Sequence, residues 1–579
     1  MNKIILLCAL FVCSFLQYIA VEVCAQGKNV IYVKPKYKLT GVITYMFINA
    51  LLIAVIGSMR AALTAGAVLF GVLAIANHYV YDMHGTPFTM DIIHNAGTAL
   101  NVLSAYKIKI EKPVWAAVLL TALEIILANT QFAKVPVTRQ SAVLLFAVLT
   151  VMMWIIYFAP KSVVSKNIVT WPWSKIIMEA GYISGFVQNT LRLFNIVQPI
   201  GQYSEEQVKQ FIADSGKGTD SGSTPDIILI LNETLYDLNM ITDTGEKTFE
   251  YLNSLEGCAK GYAVSPAVGG GTNKSEYEFL TSNSLYVAPN ITPFYSLDIN
   301  NANSVATMLK HRGYATLATH PAPGSNYSRT KGYSGLGFDD SRFIEDYKDI
   351  QHFGSRMFAT DETVYKNLID WYEHMGDEPR FIYALTIQNH GGYVFNKEIE
   401  NTVKVKKDFE DNTSKVNEFL SCMQLSDKAF KVLVDYFKNC EREVVICMMG
   451  DHAPDFAKNV IDGKYSEREK ETLLRSVPYI IWSNKKDMDK EDIPQQMGMV
   501  GVVPQLLKAA GVQLSGYYQY ICTLAKSVPV ITAYGEYREH SGKIHTVIEN
   551  EEYYDDVKRY FDLAYANIKE KDFMRDFAN

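Results

Sequence analysis

Five apolar stretches fill the first quarter of the chain, at about Ile4 to Val21, Leu39 to Ser58, Ala61 to Val80, Val114 to Ala128 and Ser141 to Phe158. About 20 apolar residues cross a hydrocarbon core of roughly 30 Å, so these read as membrane spans, the fourth of them short. The first has a second reading, because Lys3, an apolar run and Val23-Cys24-Ala25 also form the layout of a cleavable signal peptide. Five spans starting inside, or four after cleavage, both leave everything beyond Phe158 on the outer side. The Lys and Arg distribution does not reinforce this topology, since Lys28, Lys34, Lys36 and Lys38 then fall outside. Glu124 sits within the fourth span, where an ionisable residue is either functional or accommodated by helix packing. Between spans three and four, His84-Gly85-Thr86-Pro87-Phe88 opens a stretch with Ile92, Ile93, Leu100 and Leu103, a pattern that suits a helix lying at the interface.

After Phe158 the pattern turns amphipathic, with Ile176, Ile177, Ile183, Phe186, Leu191 and Leu193 among polar residues, and this predicts helices along the membrane surface. Asp214 to Pro225, rich in Ser, Gly and Thr, reads as a linker. Short, fully apolar runs then recur at Asp226 to Leu231, Phe381 to Ile387, Val444 to Met449 and Tyr479 to Trp482, as in strands covered on both faces. Helical patterns lie between them, for instance Glu362 to Tyr372 and Asp427 to Asn439. This alternation predicts an α/β domain with a mostly parallel sheet flanked by helices. The expected organisation is a transmembrane bundle over 1–160, interfacial helices and linker over 161–224, and an outer domain over 225–579 with a smaller subdomain from about 513.

Charge separates the two parts. Residues 1–160 hold 11 Lys and Arg against 5 Asp and Glu, whereas the remainder holds 44 against 57. An acidic outer part without a basic stripe argues against nucleic acid as a partner. Of eight cysteines, Cys8, Cys13 and Cys24 lie in the first apolar segment. The other five, at 258, 422, 440, 447 and 522, have no CxxC spacing, so neither a zinc module nor a disulfide framework is indicated. One bridge, Cys422 to Cys440, remains open.

In open parallel sheets ligands bind beyond the carboxyl ends of the strands. Glu233 follows its apolar run by two residues, His390 by three, and Asp451-His452 come directly after Met449-Gly450. Three strands thus deliver a carboxylate, an imidazole and an Asp-His pair to one edge. Taken singly, each also fits a capping Glu or a surface His. Oxygen ligands with one imidazole suit Mn²⁺, Mg²⁺ or Zn²⁺, and the oxygen richness favours the first two. Gly269-Gly270-Gly271-Thr272 lacks the Lys-Ser/Thr ending of a P-loop and reads as a flexible turn feeding a helix. At a helix N-terminus free N–H groups favour phosphate, and a hydroxyl held by a divalent metal can ionise and attack phosphorus. The plainer reading of Thr272 is an N-cap. His320 and the segment Tyr327-Ser328-Arg329 lie in a loop between Thr272 and His390. Arg suits planar phosphate contact, and an adjacent aromatic can cover a glycerol or sugar.

Together these motifs resemble the lipoteichoic acid synthase and phosphoglycerol transferase family of the alkaline phosphatase and sulfatase superfamily. The resemblance rests on Asn232-Glu233 after a strand, Gly-Gly-Gly-Thr272 followed by Ser-Glu-Tyr-Glu, Gln388-Asn389-His390-Gly391 and Gly450-Asp451-His452. It implies a sulfatase-like outer domain coupled to about five spans. It further implies one Mn²⁺ held by Glu233, Thr272, Asp451 and His452, with Thr272 as nucleophile. His320, Arg329 and His390 would bind glycerol phosphate and assist proton transfer, with Tyr327 standing where the family often has Trp. The implied reaction moves glycerol phosphate from phosphatidylglycerol to a glycolipid, polyglycerophosphate or glycan acceptor, outside a bacterial plasma membrane. Two other readings stay open: a phosphoethanolamine transferase or phosphodiesterase on the same fold, and a membrane protein that binds lipid or polymer without turnover. The formylglycine motif of true sulfatases is missing, because Cys258 stands in Gly-Cys-Ala-Lys-Gly.

Overall fold

The computed structural model describes residues 2–26, 33–84, 87–90, 110–133, 138–159, 162–164, 180–192, 196–215, 222–289, 291–393 and 401–579. These form two compact units, one within 1–195 and one within 196–579. In the first unit five helices are long and apolar enough to cross a membrane. They are α1 (Asn2–Gln26), α2 (Pro35–Ile56), α3 (Met59–His84), α4 (Lys112–Thr130) and α5 (Arg139–Tyr157). Pro at the start of α2 and Gly57 in the left-handed conformation at its end (φ 75°) set its bounds, as expected of a helix that starts on Pro and stops on Gly.

Glu124 of α4 is buried, and its Oε1 accepts a 2.6 Å hydrogen bond from Gln17 Nε2 of α1. Gln17 Oε1 in turn accepts from Asn49 of α2 at 2.7 Å. Helix packing therefore accommodates this carboxylate, one of the two readings the sequence left open. A further helix, α6 (Tyr182–Arg192), buries Ile183. It anchors its first turn on α1, where the Tyr182 N–H donates to Glu22 Oε1 at 2.8 Å. The expected interfacial stretch with Ile92, Ile93, Leu100 and Leu103 lies outside the described residues, as do Ile176, Ile177 and Leu193.

The second unit is built on an eight-stranded sheet ordered β4-β3-β5-β1-β6-β7-β2-β8. Its strands are β1 (Asp226–Asn232), β2 (Ala259–Val264), β3 (Ala315–Thr319), β4 (Asp340–Arg342), β5 (Arg380–Leu385), β6 (Val444–Gly450), β7 (Ser476–Ser483) and β8 (Gln496–Gly498). Pairing is parallel except at β7, which runs antiparallel to both β6 and β2. Every residue of β1 and β6 is buried, the consequence of helices on both faces. After α7 (Thr272–Thr281), α8 (Asp361–His374) and α9 (Thr413–Phe437) pack on each other, and Tyr365 of α8 reaches Asn232 and Met448 of the sheet. A small antiparallel sheet, β9 (Val530–Ile531), β10 (Glu536–Arg538) and β11 (Ile544–Thr546), comes near the C-terminus. All eight cysteines are free, so the Cys422 to Cys440 bridge is absent.

Candidate active site

The loops after β1, β5 and β6 leave the same edge of the sheet, because those three strands are parallel neighbours. The turn after β1 is tight. Thr234 takes a positive φ of 52°, and its N–H donates to Asp451 Oδ1 at 2.7 Å. Its hydroxyl donates to Glu233 Oε1 at 2.7 Å, which fixes that carboxylate beside Asp451. A Cβ on Gly450 would lie 2.1 Å from the Leu235 carbonyl, so only glycine lets the two strand ends close up.

The nucleophile candidate arrives through three glycines with positive φ, 70°, 152° and 94° at Gly269, Gly270 and Gly271. Such a run is open to glycine alone, and it swings the chain directly into α7 with Thr272 at its first position. Two bonds tie this turn to the β6 loop: Gly269 N–H to the Ala453 carbonyl at 3.0 Å, and Ser275 Oγ to the Asp451 carbonyl at 2.8 Å. Thr272 Oγ1 then lies 3.3 Å from Glu233 Oε2 and 3.5 Å from His452 Nε2.

Glu233, Asp451 and His452 each offer a ligand atom, and these atoms lie within 4.8 Å of one another. His452 Nδ1 faces its neighbour's carbonyl, Ala453, at 2.9 Å, which assigns the proton to Nδ1 and the lone pair to Nε2. That nitrogen lies 3.2 Å from Asp451 Oδ2 and 3.7 Å from Glu233 Oε1. Asp451 Oδ2 is buried without a hydrogen-bond partner among the described residues. Burial and the neighbouring Glu233 charge push the Asp451 carboxyl up to about 6. Burial works against a charge on His452, but Asp451 and Glu233 outweigh it and raise its pKa. Buried carboxylates this close are unbalanced on their own, and a divalent cation would supply the missing charge. The donor set of two carboxylates, one imidazole and a hydroxyl fits such an ion.

Around this centre the other expected residues take distinct places. His390 follows β5, and its Nδ1 faces the Gly391 carbonyl at 3.4 Å while its ring packs 5.0 Å from Phe358. Burial, with the positive groups around it, lowers its pKa to about 4, so it is neutral at pH 7. His320 is buried with Nδ1 3.2 Å from the Leu385 carbonyl, and burial and the Arg329 charge keep it neutral. Arg329 is buried in an ion pair, its Nε and Nη2 donating to Glu276 Oε2 at 2.9 and 2.7 Å. Tyr327 stacks on it with its ring 5.0 Å from the guanidinium carbon. Tyr327 and Ser328 both have positive φ, 53° and 57°, a strained pair of non-glycine residues at the site's rim.

A supporting layer stands behind these residues. Asn232 donates to Asp361 Oδ2 at 2.7 Å, Asn389 donates to Asn232 Oδ1 at 3.0 Å, and Ser426 Oγ donates to Asp361 Oδ2 at 2.6 Å. Arg356, paired with Glu418, donates to the His390 carbonyl. Sequence reasoning assigned no role to Glu276, Asp361 or Arg356. Glu276 alone carried a local signal, four residues after Thr272 on the same helix face. A second acidic cluster, Glu539, His545 and Glu552, also has metal-like spacing, but Lys543 Nζ lies 3.8 Å from Glu539 and 3.2 Å from Glu552 and supplies its positive charge.

Residues 225–512, which span this sheet and all of these motifs, match the Sulfatase family model. This stretch is a sulfatase-family domain. A Rhizobium meliloti protein named for cyclic beta-1,2-glucan modification is 26% identical over 370 residues, covering 61% of this chain and 56% of that protein. The lipoteichoic acid synthase-like YvgJ of Bacillus subtilis is 22% identical over 255 residues, 42% of this chain and 40% of that protein. The chain thus spans about half the length of the curated relatives it matches. Among solved structures, Streptococcus pyogenes phosphoglycerol transferase GacH in complex with sn-glycerol-1-phosphate superposes with a TM-score of 0.54 at 16% identity, covering 66% of this chain and 99% of that one. That likeness shows the fold of the sulfatase-family domain, with its mostly parallel sheet and flanking helices.

Proposed function

We propose that this membrane protein is a phosphoglycerol transferase whose sulfatase-family domain works on the outer face of a bacterial plasma membrane. Thr272 would take glycerol phosphate from phosphatidylglycerol and pass it to a glycolipid, polyglycerophosphate or glycan hydroxyl. The observation that carries the reading is the Thr272 hydroxyl at the start of α7, within 3.5 Å of both Glu233 and His452. The names of the relatives agree with it, one a lipoteichoic acid synthase-like protein and one concerned with modifying a glucan.

Glu233, Asp451, His452 and Thr272 would hold the ion, with Mn²⁺ first and Mg²⁺ or Zn²⁺ as alternatives. When bound, such an ion lowers the pKa of the threonine hydroxyl and offsets negative charge on phosphorus. Thr272 Oγ1 forms a bond to phosphorus as the bond to the diacylglycerol oxygen breaks, and the threonine proton leaves with diacylglycerol. In the second step an acceptor hydroxyl attacks the same phosphorus and frees Thr272. His390, neutral at pH 7, accepts the acceptor's proton, which then passes to the departing Thr272 Oγ1 so that both groups are restored, and a bound phosphodiester anion beside it raises its basicity. Arg329 and His320 would face the phosphoryl oxygens, where preorganised donors act most strongly. Tyr327 would cover the glycerol.

The test incubates the detergent-solubilised protein with head-group-labelled phosphatidylglycerol and Mn²⁺ and weighs the intact chain. A glycerophosphate adduct on wild type, absent from Thr272→Ala, together with released diacylglycerol, is the expected result. Turnover by Thr272→Ala would overturn the covalent mechanism. Adduct formation from phosphatidylethanolamine alone would move the donor to phosphoethanolamine, and hydrolysis without adduct would indicate a phosphodiesterase.

A further inference from the structure

A cavity of about 370 Å³ opens on the sulfatase-family domain, apart from the metal-ligand cluster, walled by Asp237, Phe249, Lys260, Tyr262, Gln495 and Gln496 and floored by Met448. Its volume falls within the range of small-molecule sites, roughly 300–1,000 Å³. Strand register explains the lining. Tyr262 is paired with Pro478 on one side and Gln496 on the other, Lys260 with Ile480, and Ile480 with Met448. Paired residues and their i+2 neighbours share a face, so Lys260, Tyr262, Gln496 and Met448 present their side chains to the same side of the sheet. Gly261 lets the wall close, because a Cβ there would meet the Gln495 carbonyl at 2.3 Å.

The lining has a definite chemical character. One carboxylate, Asp237, and one ammonium, Lys260, leave no net charge, whereas an anion site gathers cations. Three aromatic residues, Phe249, Tyr262 and Tyr479, line it, and their rings offer flat apolar faces. The solvent-facing amides of Gln495 and Gln496 offer donors and acceptors in equal measure. Aromatic faces beside solvent-facing amides match a neutral ligand that carries many hydroxyls on an apolar ring. The position also matters. Met448 precedes Asp451 by three residues on β6, about 10 Å of strand, and Leu235, another wall residue, follows Glu233 by two.

We propose that this cavity is a saccharide subsite that seats the sugar of the acceptor while its hydroxyl is presented to the phosphoryl group on Thr272. The acceptor role rests on the transferase reading, whereas saccharide binding as such does not. The experiment titrates laminarihexaose and cellohexaose, neutral glucan oligosaccharides, into the full-length protein in detergent and follows saturation-transfer NMR and calorimetry. Saturable binding is expected, weakened roughly tenfold by Tyr262→Ala and about fivefold by Gln496→Ala, an exposed position where folding is not at stake. Thr272→Ala, which removes the nucleophile, should still bind the oligosaccharides. Absence of saturable binding, or wild-type affinity in both cavity variants with unchanged melting, overturns the proposal. Binding that is lost in the cavity variants, in a protein that never forms the Thr272 adduct, leaves the saccharide site standing and sinks the phosphoglycerol reading instead.

Discussion

A single carboxylate oxygen, Glu276 Oε2, receives both Nε and Nη2 of Arg329, while Oε1 accepts the Tyr333 hydroxyl at 2.7 Å. Neither side chain is more than 3% exposed, so each depends on the other for its charge. Removing one partner strands the other in a low-dielectric interior, which typically costs about 3–5 kcal/mol. Glu276→Ala should destabilise the sulfatase-family domain by that order in thermal or urea melts. Arg329→Lys keeps the charge but loses the planar fork, so it should melt closer to wild type and yet form the Thr272 adduct about a hundredfold more slowly, the scale of losing a preorganised donor. Equal effects of the two substitutions on melting and on rate would show that Arg329 only supports the fold. The contrast between these residues also explains what was readable in the chain. Glu233, Thr272, His390 and Asp451 each sit at a fixed offset from a strand end or a glycine turn, and such offsets are local. Asp361 meets Asn232 across 129 positions and Arg356 reaches the His390 carbonyl across 34, contacts that only tertiary structure creates.

Elements were legible to the extent that burial marked them. β1, β5 and β6 each carry an uninterrupted apolar run, and the sequence marks them at nearly their observed bounds. β2, half-exposed and broken by Gly261, and β3, with two threonines in five residues, carry no comparable run. The direction of β7 cannot be written in hydropathy, because a strand covered on both faces reads the same either way. The helix expected at Asp427 begins at Thr413, since Val416, Phe419, Leu420 and Met423 continue the same buried face through polar neighbours. The small β9 to β11 sheet has an electrostatic property of its own. His545 on β11 is buried, with Nε2 2.5 Å from Glu539 Oε1 and Nδ1 2.8 Å from Glu551 Oε2. Burial opposes its charge, but the two carboxylates prevail and raise its pKa above the ordinary 6.5. A group with a raised folded-state value gives stability that is complete below 6.5 and lost as pH climbs through the folded value. Glu539, held below 4.5 chiefly by its hydrogen bond with His545, contributes above 4.5 and loses that contribution on acidification. The sheet should therefore be most secure between about pH 4.5 and 6.5. Melting of the wild type should decline on the alkaline side of that window, and His545→Gln should flatten the decline. A parallel decline in the variant would assign it to other groups.

At the scale of the molecule the two units have separate hydrophobic cores, one among the membrane helices and one running from Val197 to Ala578. Chains with separate cores need not unfold in one step, so two calorimetric transitions are expected, and perturbations should sort between them. The cluster of Glu233, Asp451 and His452 and the sheet's opposite edge lie in the same unit but make different demands on it. At that opposite edge Asp226 ties the starts of three strands, accepting Arg442 Nε at 2.6 Å, the Arg380 N–H at 2.8 Å and the Tyr372 hydroxyl at 2.7 Å. Asp226→Ala should lower the transition of the second unit by about 3 kcal/mol, less if Arg442, which is partly exposed, keeps its hydration. Mn²⁺ should raise that same transition, by about 2.7 kcal/mol when present at a hundred times its dissociation constant, and should still do so in Asp226→Ala. Asp451→Asn separates the two demands. It keeps an oxygen for the Thr234 and His452 N–H groups that Asp451 Oδ1 now accepts, at 2.7 and 2.8 Å, and removes the charge that burial and Glu233 oppose. Without metal the variant should then melt at or above the wild type at pH 7, and Mn²⁺ should no longer shift it. A metal-free wild type that is less stable than its asparagine variant is what a site built to hold a cation requires, because the carboxylates are kept close against their own repulsion. If Asp451→Asn instead melts lower than metal-free wild type, the carboxylate serves the fold, and the case for a cation between Glu233, Asp451 and His452 fails with it.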